Sequence, residues 1–474
     1  RNDMLCGGFV WEWCDHAIYK GTAENGKPIY FYGGDHGESQ HDGNFCMDGL
    51  VYPDRTPHTG LMEYKNVHRP VRVVSYNQLI GYVTVKNELG FTNLNDAVCI
   101  RWEVNCDGKS ASSGMISELP EILPGETGTF SLPISVPKKG RCYLQLSYYS
   151  KKESEFVPAY FPLGFDELPL QNEDSRNQVA MSFGTNSSAA VTYTEDDTRV
   201  IVQGDGFGYT YNKLTGMWDE LLRQSKPLLM RPMELNVWRA PTDNDRNIRL
   251  EWERAHYQQT VLRAYQTTCE YIPEGISIRS TMALSAETVQ RMMNMTTTWT
   301  VTPSGEITMK MDVERNPEFP DLPRFGLRMF LPNEMESLSY YGLGPIESYP
   351  DKRRAATHSH FESTVTEQHE DYLRPQENGS HGDCDYVIVY NDQAQLVVTS
   401  ENAFSFNASH YTQEELTAKA HSYELEPSGY TVLCIDYAQN GIGSNSCGPV
   451  LKDEYRFKEQ RFTFSVTLHP SERK

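Results

Sequence analysis

The chain has 474 residues, 43 basic and 64 acidic side chains, and a formal net charge of −21. That length is too great for one ordinary domain and suits about three. The acidic surface repels phosphate backbones and so argues against a nucleic-acid partner, while leaving binding of a neutral ligand unaffected. No apolar run approaches the ~18 residues of a membrane-spanning helix, so no membrane partner is expected.

Ten cysteines are dispersed without a C-x-x-C pair. Several lie inside apolar strand patterns, as expected of reduced thiols in a cytoplasmic protein rather than of a disulfide framework.

The first segment, residues 1–70, opens at Arg1-Asn2-Asp3-Met4-Leu5-Cys6 without an initiator Met, and the chain is expected to be the C-terminal part of a larger protein. Gly7-Gly8-Phe9-Val10-Trp11-Glu12-Trp13 reads as a short buried strand, because its apolar run is brief and opens with Gly. A long irregular stretch follows, through Tyr32-Gly33-Gly34-Asp35-His36-Gly37 and Asp42 to Gly49; loops of that length in compact domains are usually functional. Pro57 to Val67 reads as a helix, with Leu61, Met62, Tyr64 and Val67 near helical spacing.

Residues 71–166 change character. Val71–Val74, Ile80–Val85, Val98–Val104, Gly128–Ile134 and Cys142–Tyr148 are strand-like, separated by turn signals such as Asp107-Gly108 and Pro124-Gly125. The density of strands, about seven in all, predicts an immunoglobulin-like β-sandwich. Asp166 to Arg176 reads as a linker, and 167–474 as one large C-terminal β-sandwich of successive strands. Its helical pieces are expected near Arg249–Gln258 and Gln413–Ala420. The fold class is therefore mainly β. No 20–50-residue period repeats, which disfavours a propeller or solenoid.

Few residues announce chemistry unaided. Trp11 lies near the end of the first predicted strand, and an indole face suits the apolar C–H face of a sugar, although buried Trp residues commonly serve only packing. The loop Gly33–Gly49 carries Asp35, His36, Glu38, His41, Asp42 and Asp48. Carboxylates and carbonyls there could hold a hard cation, but the spacing is not that of an EF-hand, and solvated loop charge explains it more simply. His358-x-His360 could place two metal ligands on one strand face; no third is placed, and an exposed polar strand accounts for it equally. No nucleophile elbow, phosphate loop or dinucleotide fingerprint occurs. Glycoside hydrolysis needs two carboxyl groups across the scissile bond, and no pair here stands out from the many acids present.

Several blocks together resemble the large β-galactosidases of glycoside hydrolase family 2. They are Gly7–Trp13, Tyr32–Asp35, Asn44-Phe45-Cys46-Met47-Asp48-Gly49-Leu50-Val51, Asp54–His58, Trp238-Arg239-Ala240-Pro241-Thr242-Asp243-Asn244-Asp245, Tyr341–Asp351, Pro375-Gln376-Glu377-Asn378-Gly379 and Gly441–Ser444. They occur in the family's order and cover the chain from end to end. The resemblance implies the end fragment of a (β/α)₈ barrel, then an immunoglobulin-like sandwich, then a large terminal sandwich reaching over the active site. It also implies that both catalytic Glu residues and the Mg²⁺ ligands lie upstream, leaving no catalytic residue in this chain.

What the resemblance carries over is binding. Trp11 matches a wall of the galactosyl pocket. Phe45, through its carbonyl, and Asp48, through its carboxylate, match the ligands of a Na⁺ that helps to hold the galactosyl 6-hydroxyl. Some members have Asn at the place of Asp48. Cys447 stands nearest to where some members place a sugar-stacking Trp, and a thiol offers no aromatic platform. His381 lies near where members often carry Arg, which puts a local ion pair in doubt. The implied parent is a homo-oligomer hydrolysing terminal β-D-galactosides with retention, and the isolated chain is expected to be inactive. The alternative is a separately expressed, non-catalytic carbohydrate-binding or complementing subunit.

Overall fold

The computed structural model describes residues 4, 7–183, 189–443 and 446–473. Arg1–Asp3, Leu5, Cys6, Ser444 and Asn445, which carry part of the sequence reading, lie outside the described residues.

The first segment is mostly irregular. A hairpin pairs β1 (Ile18–Thr22) with β2 (Pro28–Phe31), and α1 spans Thr59–Val67 within the predicted helix. The predicted strand Gly7–Trp13 is not formed: Phe9 and Trp11 are exposed. A strand needs a hydrogen-bonded neighbour. None flanks this segment among the described residues; its only ladder-like ties are Leu50 and Val51 N–H groups donating to the Trp13 carbonyl, and a Cys14–Val51 bridge.

The next unit is a two-sheet sandwich of seven strands. One sheet has the order β3 (Val71–Asn77), β4 (Tyr82–Asn87), β7 (Thr127–Ser131). After a short helix α2 (Leu94–Ala97), the other has the order β6 (Lys109–Ile116), β5 (Val98–Cys106), β8 (Cys142–Ser150), β9 (Pro162–Leu170). Alternate residues of facing strands fill its core: Val83 and Val85 from one sheet, Ile100, Trp102, Leu144 and Leu146 from the other. Asp107 and Gly108 both take positive φ, as a two-residue hairpin turn between right-twisting strands requires. A Cβ at Gly108 would meet the His360 backbone nitrogen at 2.6 Å, so this turn tip is where the small sandwich touches the large one.

The segment read as a linker starts later than expected, since Asp166 to Leu170 belong to β9. Asp166 has structural work in that strand. It pairs with Arg69 just beyond α1 (Nη2–Oδ1 2.5 Å) and accepts from the Tyr148 hydroxyl (2.6 Å).

The remainder is one large β-sandwich unit. A five-stranded meander comprises β10 (Thr192–Glu195), β11 (Arg199–Gly204), β12 (Phe207–Asn212), β13 (Met217–Arg223) and β14 (Lys226–Pro227). It packs on a twelve-stranded sheet made of β15 (Arg231–Asn236), β16 (Thr260–Ile272), β17 (Gly275–Ala286), β18 (Val289–Val301), β19 (Ile307–Arg315), β20 (Arg324–Pro332), β21 (Ser337–Gly344), β22 (Thr357–Thr364), β23 (Ser380–Tyr390), β24 (Ala394–Ser409), β25 (Tyr430–Gln439) and β26 (Arg461–Glu472). One continuous core joins the two sheets, with Trp218 and Trp299 edge-to-face at 5.8 Å.

The two predicted helices appear as α3 (Ile248–Arg254) and α4 (Gln413–Ala418). The first ends early because His256 turns left-handed before a 3₁₀ turn. The second starts where the Thr412 hydroxyl accepts from Glu415 N–H. The nine described cysteines are all free thiols. No helix among the described residues is long and apolar enough to cross a membrane.

Candidate functional site

Asp15 organises the first side of the site. Its buried carboxylate accepts from the Gly49 N–H (2.8 Å) through one oxygen and lies 3.0 Å from His58 Nε2 through the other. A Cβ at Gly49 would sit 2.2 Å from the Asp15 nitrogen, so only glycine lets these backbones meet. This contact holds Asp48, next along the chain, close to the Trp11–Trp13 segment.

Trp11 is 81% exposed, with its indole open to solvent rather than buried in a core. Partial desolvation, with the negative charges of Glu12 and Asp15 adding to it, pushes the Asp48 carboxyl above its ordinary range. Burial is the larger cause and the neighbouring carboxylates the smaller one. Phe45 lies in the 3₁₀ turn Gly43–Cys46, and its carbonyl accepts no hydrogen bond among the described residues. A free carbonyl and an electronegative carboxylate make a donor set that suits a hard cation. Among the described residues no group of three His, Cys, Asp or Glu side chains could hold a metal, so any such ion would draw its other ligands from carbonyls, water or substrate.

Of the other acids of this loop, Glu38 and Asp42 are exposed, as expected of solvated loop charge, and Asp35 is half-buried. Asp35 accepts from Tyr32 N–H (2.8 Å) and pairs with His421 Nε2 (2.7 Å). Glu38 accepts from Gly34 and His36 N–H groups, and the Gly34 bond foremost lowers its carboxyl pKa. Asp35–His421 is one of several ties across which the first segment docks on the large sandwich. Lys27–Asp371 (2.7 Å) and Thr59 Oγ1 to Glu347 (2.8 Å) are others.

The sequence blocks that lie far apart in the chain converge here. Asn44 donates to the Asp243 carboxylate (2.6 Å), and Asn244 donates to the Ile442 carbonyl (3.0 Å). Fully buried Arg239 grips Asp245 with two nitrogens (3.1 and 2.7 Å) and donates to the Gly441 carbonyl (3.0 Å). Glu377 N–H donates to the Ala240 carbonyl (3.0 Å), and Arg324 binds both Glu377 and Asp436. Burial pushes Glu347 up, but the Lys352 ammonium and its hydrogen bonds win and hold that carboxyl at about 2. Cys447 is exposed, beyond the Gly441–Gly443 turn.

Of the three histidines singled out, one departs from the sequence reading. His358, expected on an exposed polar strand, is buried between Glu167 and Asp383, while its neighbour in the motif, His360, bonds the Tyr386 hydroxyl (2.9 Å). The two rings therefore have separate partners and share no metal-ligating group among the described residues. His381 is buried against Tyr340 and Phe406, and burial pushes its imidazole down to about 4. It is neutral at pH 7 and makes no ion pair among the described residues.

Sequence reasoning passed over Arg239, Arg324, Asp351 and Lys352 as site-building residues. Two of these lay within blocks already singled out, but nothing in their spacing showed what they bind.

Comparison with known proteins shows the family. The family described as "Beta galactosidase small chain" matches residues 203–468. The chain belongs to that family. "Glycosyl hydrolases family 2, TIM barrel domain" matches residues 1–73, and "Beta-galactosidase, domain 4" matches 83–171. A beta-galactosidase of Actinobacillus pleuropneumoniae is 40% identical over 471 residues, covering 99% of this chain and 45% of that protein. One of Staphylococcus xylosus is 38% identical over 469 residues, covering 98% of this chain and 46% of that protein. The chain thus spans slightly under half the length of these relatives. In this β-galactosidase frame, the irregular first segment is the end of a barrel domain.

Proposed function

We propose that the chain is the C-terminal part of a β-galactosidase and supplies binding walls of its active site, the two catalytic carboxylates coming from the rest of the enzyme. The observation that carries this reading is that the exposed Trp11 shares a segment with Asp15, which binds the Gly49 N–H next to Asp48, while Asn44, next to Phe45, donates to Asp243 of the large sandwich. The reaction is retaining hydrolysis of terminal β-D-galactosides. One Glu attacks the anomeric carbon, and a second protonates the leaving oxygen and then activates water.

This chain's residues bind and orient. Trp11 takes the apolar face of the galactosyl ring. The Phe45 carbonyl and Asp48 carboxylate would hold Na⁺, which would supply a hard positive charge for a hydroxyl of the sugar. Cys447 lies at the rim on the leaving-group side, where a thiol gives less stacking surface than an aromatic ring. Mg²⁺ belongs to the upstream part. The parent enzyme is read as a cytoplasmic homo-oligomer; the acidic charge disfavours a nucleic-acid partner and the free thiols suit a reducing compartment.

The test mixes this chain with a separately made upstream half and follows a chromogenic β-galactoside with and without sodium. Activity is expected only in the mixture and is stimulated by sodium. Trp11→Ala in that mixture should lower kcat/KM by at least about tenfold, the loss of ~1.4 kcal/mol of ring contact. Folded halves that associate without hydrolysis, while this chain alone binds galactosides, would favour a carbohydrate-binding subunit instead.

A further inference from the structure

We propose that Cys106 and Cys142 are a redox-sensitive pair that closes a reversible disulfide between β5 and β8 of the small sandwich. The proposal is independent of the galactoside reading above.

Cys106 is the last residue of β5 and Cys142 the first of β8, and the antiparallel register sets them directly opposite. Opposite residues project from the same face of a sheet. Here that is the core face, where both thiols join the cluster that includes Val104 and Leu144. The next step of the ladder fixes their spacing. Asp107 N–H donates to the Arg141 carbonyl (3.0 Å), so Asp107 and Arg141 are a hydrogen-bonded pair and Cys106 and Cys142 a non-hydrogen-bonded one. Cα atoms of such pairs lie about 4.5 Å apart, within the ~4.4–6.8 Å that a disulfide spans. Among the described residues no other two cysteines face each other across paired strands.

Both are free thiols. Cys106 Sγ donates to the Lys139 carbonyl (3.3 Å) and Cys142 Sγ to the Gly140 carbonyl (3.6 Å), while Asn172 Nδ2 donates to Cys142 Sγ (3.6 Å). A Cβ at Gly140 would lie 2.6 Å from Cys106 Sγ, so glycine leaves the room that this sulfur occupies. The thiols also interact directly: burial first, and then the hydrogen bond to Cys142, pushes the Cys106 thiol up, and burial pushes Cys142 up as well. Scarce thiolate slows attack but leaves the equilibrium to the geometry of the pair.

Exposure gives the order of events. Cys106 is half-buried, whereas Cys142 is 2% exposed. The Cys106 thiolate attacks a low-molecular-weight disulfide, oxidised glutathione, forming a mixed disulfide and expelling one glutathione thiolate. Cys142 then gives up its proton, attacks the Cys106 sulfur and expels the second. Two protein thiols become one disulfide, and their two hydrogens leave on two glutathione molecules. The bridge closes where the small sandwich meets the large one: Arg141, next to Cys142, binds Asp383 (2.9 Å) and Asp385 (2.5 Å). It therefore staples the strand ends that carry this contact, and the dithiol is the resting form in a reducing compartment.

The test equilibrates the chain with glutathione buffers of graded oxidised-to-reduced ratio, quenches with acid, alkylates free thiols and maps the peptides by mass spectrometry. The Cys106 and Cys142 peptides should be joined, two hydrogens lighter, with one half-point reached from oxidised and reduced starts, while buried Cys99 and Cys384 stay free. Cys142→Ser should stop at the mixed disulfide on Cys106. Amide exchange in β5 and β8 should slow at least about tenfold on bridging and recover on reduction. Glutathione on Cys106 of the wild-type chain with no link to Cys142, or a link formed only when urea unfolds the chain, overturns the proposal. So does a link that leaves exchange unchanged.

Discussion

Arg324→Met is expected to destabilise the chain by about 3–5 kcal/mol, the usual cost of removing one partner from a buried ion pair. Arg324 is fully buried, with Nε and Nη2 on Asp436 (3.0 and 2.5 Å) and Nη1 on Glu377 (3.2 Å to the nearer oxygen). Burial pushes both carboxyls up despite the guanidinium, and the charge of Asp436 adds to the shift of Glu377. Without Arg324 two buried carboxylates face each other uncompensated, and each folded-state pKa climbs further. The sign follows: the variant's deficit is largest at neutral and alkaline pH, and shrinks as acid protonates the pair. Urea denaturation at pH 7 and pH 5 checks both parts. A loss under about 1 kcal/mol at pH 7 would mean that solvent reaches the site. Because Glu377 also donates its N–H to Ala240, the damage should spread to the Trp238–Asp245 block.

His358 supplies the second large effect. Its Nδ1 lies 2.6 Å from Glu167 on β9, its Nε2 lies 2.8 Å from Asp383 on β23, and the ring stacks on Tyr143 at 4.1 Å. Only imidazolium has two N–H donors, so both bonds require the charged form. Burial opposes that charge, but the two carboxylates prevail and raise the pKa above 6.5. Arg141, paired with Asp383 and Asp385, and Arg353, 3.4 Å from Asp383, are the other charges facing the cluster.

A folded pKa raised above the unfolded value gives stability that is complete below about pH 6.5 and is lost as pH rises through the folded value. His358→Gln should therefore cost about 3 kcal/mol at pH 6, because it leaves a carboxylate unpaired between the two sandwiches. The gap to wild type should narrow by pH 9. Denaturation midpoints of both proteins at the two pH values measure it. A gap that does not change with pH would show that the ring serves by packing alone.

These two clusters also mark where sequence reading ran out. The small sandwich was legible because Val98–Val104 and Cys142–Tyr148 alternate clearly and Asp107-Gly108 suits a tight hairpin. Its strand β6 was not, since Lys109–Ile116 is rich in Ser and buries little. Its Gly114 exists to admit the Trp102 indole, which would meet a Cβ at 2.7 Å. The strand expected at Gly7–Trp13 failed because an apolar run implies burial only when a neighbouring strand is present.

The site was legible as blocks and not as contacts. Trp11, Phe45 and Asp48 are proposed from the resemblance of their blocks, and no contact in the fold singles them out. Arg324 and Asp436 are 112 residues apart in sequence, and no periodicity links them. His358 shows the converse: a motif that suggests metal ligands on paper is folded into a charge clamp between sandwiches.

The central claim is that this chain shapes a galactoside site whose nucleophile lies elsewhere in the enzyme. A mechanism-based 2-deoxy-2-fluoro-β-galactoside, which traps the glycosyl–enzyme intermediate, tests it directly on the reassembled halves. Peptide mass spectrometry should find the adduct on a Glu of the upstream half and none on this chain. An adduct on any carboxylate of residues 1–474 would contradict the account.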